Sequence, residues 1–139
     1  MRKKEIEFDI YLKKNNQESM ILKVEDKEQT VYRAGYKIKE ETLIFFITLN
    51  DTAYSSVLCR LGTLKNELKR VEALEMTNFL NFKYIPAKFT LDSENNLDFR
   101  IDIIATDDEF NPEMAVQVPL NVLQSIEQDY EKITDVLNN

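Results

Sequence analysis

The most informative absence in this sequence of 139 residues is histidine, of which there is none. Without an imidazole, the chain has no Ser–His or Cys–His nucleophile pair and no His-ligated zinc site. Its single cysteine, Cys59, allows neither an intrachain disulfide nor a thiolate metal cluster. Its two glycines, Gly35 and Gly62, are too few for a glycine-rich phosphate loop. We therefore expect a protein that is not an enzyme and that has no metal or cofactor.

Long hydrophobic runs are also missing. The longest run comprises residues 43–47, whereas a helix that crosses a bilayer needs about 20 apolar residues. The basic residues 1–4 are followed by Glu5, Glu7 and Asp9, where a signal peptide requires an apolar segment. These features predict a cytoplasmic protein that does not associate with membranes.

Positive charge is scarce in the second half of the chain. Residues 1–70 hold 14 Lys/Arg and 11 Asp/Glu, a net charge of +3, and residues 71–139 hold 4 and 14, a net charge of −10. Because basic side chains supply most of the affinity for nucleic acids and anionic membranes, we expect neither as a partner. The acidic surface either keeps the chain in solution or accepts a basic protein or peptide.

The residues that are present are typical of one globular domain. The apolar fraction of 43% is ordinary for a folded protein, and 139 residues can bury a single core. Since no internal repeat or linker divides the sequence, residues 1–139 form one predicted domain.

Residues 64–104 carry the clearest pattern. Apolar residues first recur at helical spacing, which predicts a helix with Thr63 as its N-cap. From residue 85 the period becomes two, and after a polar turn at residues 92–96 the alternation returns, which predicts an antiparallel hairpin. The predicted buried face of the helix consists of Leu64, Leu68, Val71 and Leu74.

The segment before this region is partly ambiguous. Apolar residues alternate in residues 4–14 as in a strand, but the Lys, Glu and Leu content equally favours a helix. Further along, the pattern predicts a short strand from Met20 to Val24, a hairpin of residues 30–38 and 42–49, and a strand over residues 53–61.

The C-terminal segment predicts one helix. We expect residues 116–119 to be extended and the helix to start at Pro119 or Asn121. Its apolar stripe packs either on the chain's own sheet or on a second helix in a dimer. The stripe consists of Leu123, Ile126, Tyr130, Ile133 and Leu137.

Several polar groups resemble ligand sites, and each also has a structural explanation. Asp92, Glu94 and Asn96 alternate like calcium ligands, but Leu97 occupies the position of the required glycine, which favours a simple turn. The acidic residues 107–109 form either a loose divalent-cation site or a solvated loop. In addition, Cys59 lies in a strand pattern and is expected to be buried and inert, and Asn78 and Asn81 are expected to cap a helix end.

One part of the chain resembles a known family. The segment Asn78-Phe79-Leu80-Asn81 follows a helix and precedes Pro-Ala-Lys-Phe-Thr-Leu-Asp at residues 86–92, an Asn-rich turn and an acidic-apolar strand. This arrangement resembles the YbjN-like family, which shares the fold of type III secretion chaperones. The resemblance is best over residues 63–104 and extends to residues 29–61 and the terminal helix.

The resemblance implies an α+β fold with the order α-β-β-β-α-β-β-α. It implies an antiparallel sheet of about five strands with helices packed mainly on one face, and a helix at residues 4–14. Proteins of this fold usually form homodimers. Secretion chaperones of this kind are small, acidic and non-catalytic, and part of the YbjN-like family carries the label of sensory transduction regulator.

The function that follows is a non-enzymatic protein-binding module, chaperone-like or regulatory, that holds a segment of a partner protein as a homodimer. Two alternatives stay open. One is a structural or phage-type assembly subunit, and the other is a divalent-cation-dependent enzyme using Asp102, Asp107, Asp108 and Glu109.

The expected partner or dimer contacts are bulky residues of two predicted strands and the last helix. Residues 45–47 are apolar at consecutive positions, so they present large side chains to both faces of a sheet. The full predicted set is Phe45, Phe46, Ile47, Val57 and Tyr130.

Overall fold

In the computed structural model, which describes residues 1–18 and 21–139, the chain forms a six-stranded antiparallel sheet and four helices. The helices are α1 (Lys3–Lys14), α2 (Arg70–Lys83), α3 (Pro112–Ile126) and α4 (Tyr130–Asn138). The strands are β1 (Leu22–Glu25), β2 (Gln29–Ile38), β3 (Glu41–Asn50), β4 (Tyr54–Thr63), β5 (Lys88–Leu91) and β6 (Asn96–Ile104). The strand order in the sheet is β1-β2-β3-β4-β6-β5. The α+β class and the antiparallel sheet are confirmed.

The sheet has one strand more than the five that the resemblance implies. The additional strand is β1, which lies at the sheet edge and pairs only with β2. Four strands therefore precede α2, not three. The start predicted for this strand, Met20, lies outside the described residues.

The two faces of the sheet have different environments. Because side chains alternate along a strand, β3 sends Leu43, Phe45 and Ile47 into the core and Phe46 to the other side. The helices pack on the first side, which we call the covered face. The second side, the open face, carries no helix among the described residues.

Residues 4–14 form a helix, in agreement with the resemblance. Phe8 and Leu12 lie four residues apart on its inner side and are 0% and 3% exposed, whereas Ile6 and Ile10 point outward. The alternating pattern thus splits into two helical faces. The ring of Phe8 packs between Tyr32 of β2, at 4.6 Å, and Phe110 before α3, at 6.4 Å between ring centroids.

The buried face predicted for the second helix is wrong. Thr63 is the last residue of β4, where its hydroxyl donates a hydrogen bond to Asn96 Oδ1 at 2.8 Å, so it caps no helix. A single 3-10 turn at Glu67–Lys69, capped by Asn66, precedes α2. Because the helix starts only at Arg70, a different stripe faces the core: Ala73, Met76, Thr77 and Leu80. Of the predicted stripe, Leu64 is buried before the helix, and Leu68, Val71 and Leu74 are exposed.

The C-terminal segment forms two helices where one was predicted. Residues 116–119 are helical, not extended, because Asn111 caps α3 by accepting a hydrogen bond from the Met114 N–H at 3.2 Å. Pro119 lies inside α3, and the chain turns between Ile126 and Tyr130. The predicted stripe is divided between the two helices, and all of it is buried in the chain's own core, which favours the first of the two packing alternatives. Its members are Leu123, Ile126, Tyr130, Ile133 and Leu137.

None of the helices in the described part of the chain combines the length and apolar character that crossing a bilayer requires.

Candidate functional site

Four of the five predicted contact residues lie inside the chain's own core. Phe45, Ile47, Val57 and Tyr130 are each at most 5% exposed. Phe46 points to the open face and is 36% exposed. Of the five predicted contact residues, Phe46 is the one whose side chain is exposed at the surface.

Of the acidic residues of the enzyme alternative, Asp102 and Glu109 line one pocket of about 360 Å³ beside α3, but each is engaged with a neighbouring side chain. Asp102 accepts a hydrogen bond from Arg100 Nε at 2.7 Å on the open face. Asp108 forms an ion pair with Lys3, which holds the pKa of the Asp108 carboxyl below its usual range. Glu109 accepts a hydrogen bond from the Thr106 hydroxyl at 2.8 Å. Among the described residues, no group of three His, Cys, Asp or Glu side chains is placed to hold a metal ion.

The calcium-like segment at residues 92–96 is a hairpin turn. Asp92 Oδ1 accepts hydrogen bonds from the backbone N–H groups of Asn96 and Glu94, each at 2.9 Å, and these bonds lower the pKa of Asp92. Asn95 adopts a φ of 67°, which asparagine tolerates in turns. The carboxylate therefore stabilises the turn itself.

Cys59 is fully buried in β4, and its burial raises the pKa of the thiol to about 12. A thiol that stays protonated at neutral pH is a poor nucleophile. This agrees with the expectation of an inert cysteine.

A polar cluster that the sequence did not indicate anchors α1 to the sheet. Glu5 is 1% exposed, accepts a hydrogen bond from the Thr30 hydroxyl and lies 3.3 Å from Lys23 Nζ. Asp9 accepts hydrogen bonds at 2.7 Å from both Lys23 Nζ and the Tyr32 hydroxyl. Burial lowers the pKa of Lys23, but the hydrogen bonds to Asp9, Glu25 and Glu5 outweigh burial and raise the pKa overall. Since all three carboxylates contact Lys23, the cluster joins α1 to the sheet and has a structural role.

The open face carries one row of side chains that crosses all six strands. Its apolar members are partly exposed, with Leu22 at 59%, Phe46 at 36% and Leu58 at 43%. A shallow depression of about 430 Å³ lies beside Phe46 and Leu58. Cross-strand pairing gives the order of the row from β1 to β5 as Leu22, Arg33, Phe46, Leu58, Arg100 and Lys88.

Positive charge dominates the open face. Two of its cations are paired, Arg60 with Asp98 at 2.9 Å and Arg100 with Asp102 at 2.7 Å. Among the described residues, the other three cations form no ion pair: Arg33, Lys37 and Lys88. The strand positions that point to this face thus have a surplus of three positive charges, in a chain whose net charge is −7.

A second uncovered surface lies along the outer side of α2. We call it the outer strip of α2, and it lies opposite the stripe that packs into the core. Its apolar members are strongly exposed, with Val71 at 69%, Leu74 at 45%, and Phe82 and Ile85 at 88% each. The exposed Asn78 lies at its centre. The strip consists of Val71, Leu74, Asn78, Phe82 and Ile85.

The sequence contained a signal for this strip, because Val71 and Leu74 belong to the helical repeat that was assigned to the core. Two features show why that assignment failed. The repeat continues past Asn78 to Phe82, and small residues at Ala73 and Thr77 mark the opposite side as the one that approaches the sheet. The charge surplus of the open face has no comparable local signal, since it combines residues of four strands and the pairing of β4 with β6 joins distant segments.

Asn78 and Asn81 differ in role. Asn81 binds the backbone of Phe89 in β5, accepting a hydrogen bond from its N–H at 2.7 Å and donating one to its carbonyl at 2.9 Å. Asn78 is exposed within α2, which continues to Lys83. Asn81 thus turns the chain into the next strand, as expected, whereas Asn78 does not cap the helix end.

Comparison with known proteins identifies a shared fold. No family model and no curated protein matches the chain. Among solved structures, the chain is similar to an uncharacterized protein from Methanothermobacter thermautotrophicus, with a TM-score of 0.60 and 14% sequence identity. The alignment covers 94% of this chain and 98% of that chain. At this identity the similarity shows a shared fold alone.

Proposed function

We propose that this protein is a non-enzymatic protein-binding module, which works as a homodimer and holds a segment of a partner protein. The observation that carries this proposal is the outer strip of α2, whose apolar side chains no described part of the chain covers. Such patches mark contact sites on soluble proteins. A cytoplasmic location is part of the proposal, and the single free thiol of Cys59 supports it.

The spacing of the strip suits a two-fold contact between two antiparallel copies of α2. Leu74 precedes Asn78 by four residues and Phe82 follows it by four, while Val71 lies at the start of the helix and Ile85 just past its end. A two-fold axis at Asn78 therefore places Leu74 against Phe82 of the second copy and the two Asn78 side chains against each other. A polar Asn within an apolar helix seam fixes the register of the pair, because only one alignment satisfies its amide.

The secretion-chaperone-like fold of the YbjN-like family also belongs to this proposal. If β1 is left aside and α3 and α4 are taken as one terminal helical segment, the element order is helix, three strands, helix, two strands, helix. That order is the one the resemblance implies. The agreement supports a chaperone-like or regulatory role, in which one surface joins two copies and another holds the partner.

Sedimentation equilibrium at micromolar concentration tests the dimer. We expect wild-type protein to sediment as a dimer and Leu74→Asp or Phe82→Asp to sediment as a monomer, because each buries a carboxylate at the centre of the contact. The matched control is Ile10→Asp on α1, where the side chain is 62% exposed and lies outside the strip. A wild-type monomer, or an unaffected dimer in both α2 variants, contradicts the proposal.

Oxidative cross-linking tests the two-fold axis. In Asn78→Cys, the two new thiols face each other across the axis, so mild oxidation should give a covalent dimer. The buried Cys59 does not compete. Gln124→Cys, at an exposed position of α3, is the control and should stay monomeric on a denaturing gel. Equal cross-linking of the two variants would exclude the proposed axis.

A further inference from the structure

We infer that the open face of the sheet binds an acidic amphipathic helix of the partner protein, with its apolar side on Phe46 and Leu58 and its carboxylates on the surrounding cations. This inference rests on the proposed protein-binding function and specifies the chemistry of the partner. It reverses the expectation from net charge, under which an acidic chain accepts a basic peptide.

The dimensions of the open face suit one helix. Six strands spaced about 4.8 Å apart span roughly 24 Å, the length of a helix of about 16 residues. The row from Leu22 to Lys88 crosses this whole width. Its apolar members lie towards β1 to β4, and the depression beside Phe46 and Leu58 can accept an apolar side chain of the helix.

The charges of the open face specify an acidic occupant. Arg33 lies next to Phe46 in the row, and Lys88 lies at its far end. Both are exposed and, together with Lys37, lack an ion-pair partner among the described residues. Carboxylates on the flanks of an amphipathic helix would supply these partners. When a positive surface faces a negative one across an interface, the two partners associate faster and in one preferred alignment.

The same charges argue against a second copy of this chain on the open face. A two-fold contact there would bring two surfaces together that each have a surplus of three positive charges. Like charges placed opposite each other disfavour such an interface. The dimer contact along α2 leaves the open face free for the partner.

Nucleic acid and membranes are less suited to this face. The carboxylates of Asp98 and Asp102 lie between the cations and repel phosphate. Most of the apolar side chains are aliphatic and offer no ring for base stacking. At the centre of the face Phe46 and Leu58 are less than half exposed, so this part of the surface does not protrude as a membrane anchor would.

Selection from a phage-displayed library of random peptides, each about 16 residues long to match the face, tests the inference. We expect enrichment of Asp and Glu together with apolar residues at helical spacing of three and four. Failure to select any peptide, or selection of peptides without acidic enrichment, overturns the inference. Tighter binding of oligothymidylate, or of phosphatidylserine vesicles, than of the selected peptides also overturns it.

Variants of the open face show whether the selected peptides bind there. By fluorescence anisotropy, Arg33→Glu with Lys88→Glu should weaken binding by about tenfold or more, since two contacts become repulsive. Leu58→Asp should also weaken it. The control Lys14→Glu reverses an exposed charge at the end of α1 and should change the affinity less than about twofold. Equal affinities for the control and the open-face variants overturn the inference.

Sedimentation of the same proteins separates the two proposals. Arg33→Glu with Lys88→Glu should remain dimeric while losing the peptide. Loss of peptide binding by Leu74→Asp, together with full binding by the open-face variants, would place the peptide on α2 and contradict the inference. A monomeric wild type that binds acidic peptides on the open face would contradict only the dimer.

Discussion

The side-chain amide of Asn81 joins α2 to the sheet by bonding to both the backbone N–H and the backbone carbonyl of Phe89. Phe89 is 2% exposed, so its backbone N–H and carbonyl have little access to water if the amide is removed. Leaving buried backbone groups unpaired costs about 1–3 kcal/mol. We therefore expect Asn81→Ala to lower the free energy of unfolding by this amount, as measured by urea denaturation.

The control for Asn81 is Asn121→Ala, at an exposed position inside α3. Both substitutions gain the helix propensity of alanine. The difference between their free energies of unfolding therefore measures the contribution of the hydrogen bonds between Asn81 and Phe89. Equal stability of the two variants would show that water replaces the amide of Asn81 without cost.

Tyr130 introduces a dependence of stability on alkaline pH. Its burial, and then its hydrogen bond to the Glu41 carboxylate, raise the pKa of the phenol to about 12. In the unfolded chain a tyrosine titrates at about pH 10. Because the pKa is higher in the folded state, the protonated Tyr130 hydroxyl makes its full contribution to the free energy of unfolding below about pH 10. This contribution is lost as the pH rises towards about 12.

We expect wild-type protein to lose more stability than Tyr130→Phe between about pH 9 and about pH 12. Denaturation curves at a series of pH values measure this difference. Tyr32 and Tyr84 also have raised pKa values, but they contribute equally to both proteins. Parallel pH profiles for the two proteins would show that the Tyr130 hydroxyl does not carry the effect.

At the scale of elements, α1 shows how one apolar pattern can divide between core and solvent. Leu12 is 3% exposed and Ile10 is 62% exposed, although they are neighbours in the alternating pattern. We expect Leu12→Ala to lower the free energy of unfolding by about 2–5 kcal/mol through lost burial and a cavity. Ile10→Ala, its matched control, should be nearly neutral in thermal or urea unfolding. Comparable losses of stability in both variants would indicate that residues 4–14 form a strand and not a helix.

The strands of the fold could be predicted from the sequence more accurately than the helices. The hairpin of β2 and β3 was predicted within one residue at each end, because alternation and the polar turn at Lys39 act locally. The start of α2 was misplaced because the pairing of Thr63 with Asn96 keeps β4 extended past Gly62. That pairing joins distant segments, and a local cap signal cannot represent it.

The candidate surfaces could be predicted from the sequence only where local patterns determine them. Residues 45–47 were predicted to place large side chains on both faces of a sheet, and Phe46 points to the open face because neighbours in a strand point to opposite faces. The burial of Tyr130 and Val57 depends on where α4 and the covered face lie, which follows from tertiary packing. The row from Leu22 to Lys88 depends on five strand pairs, of which four are hairpins between consecutive strands, whereas the pairing of β4 with β6 joins distant segments that local patterns do not bring together.

The molecule as a whole is acidic, but its open face is positively charged. The two proposed contacts should therefore respond to salt in opposite directions. Two chains with a net charge of −7 each repel one another. The open face, by contrast, attracts an acidic helix. Raising the ionic strength from about 0.01 M to about 0.15 M shortens the Debye length from about 30 Å to about 8 Å. We expect the dimer to become tighter and peptide binding to become weaker over this range.

Sedimentation and anisotropy titrations at matched salt concentrations measure the two responses. Arg33→Glu with Lys88→Glu serves as the control, because it should reduce the salt dependence of peptide binding and leave that of the dimer in place. A shift of both equilibria in the same direction would contradict the assignment of the two contacts to surfaces of different charge.

The packing of Phe8 between Tyr32 and Phe110 has a consequence for the order in which the chain folds. The ion pair between Lys3 and Asp108 connects the same regions, 105 residues apart in sequence. During synthesis α1 leaves the ribosome well before α3, and its apolar side has only part of its final surroundings until residue 110 has emerged. Closing so long a segment is entropically costly, and folds that depend on such distant contacts form slowly. The N-terminal helix is thus made early but completes its docking late, because one side of the Phe8 ring stays uncovered on a nascent chain until Phe110 has emerged.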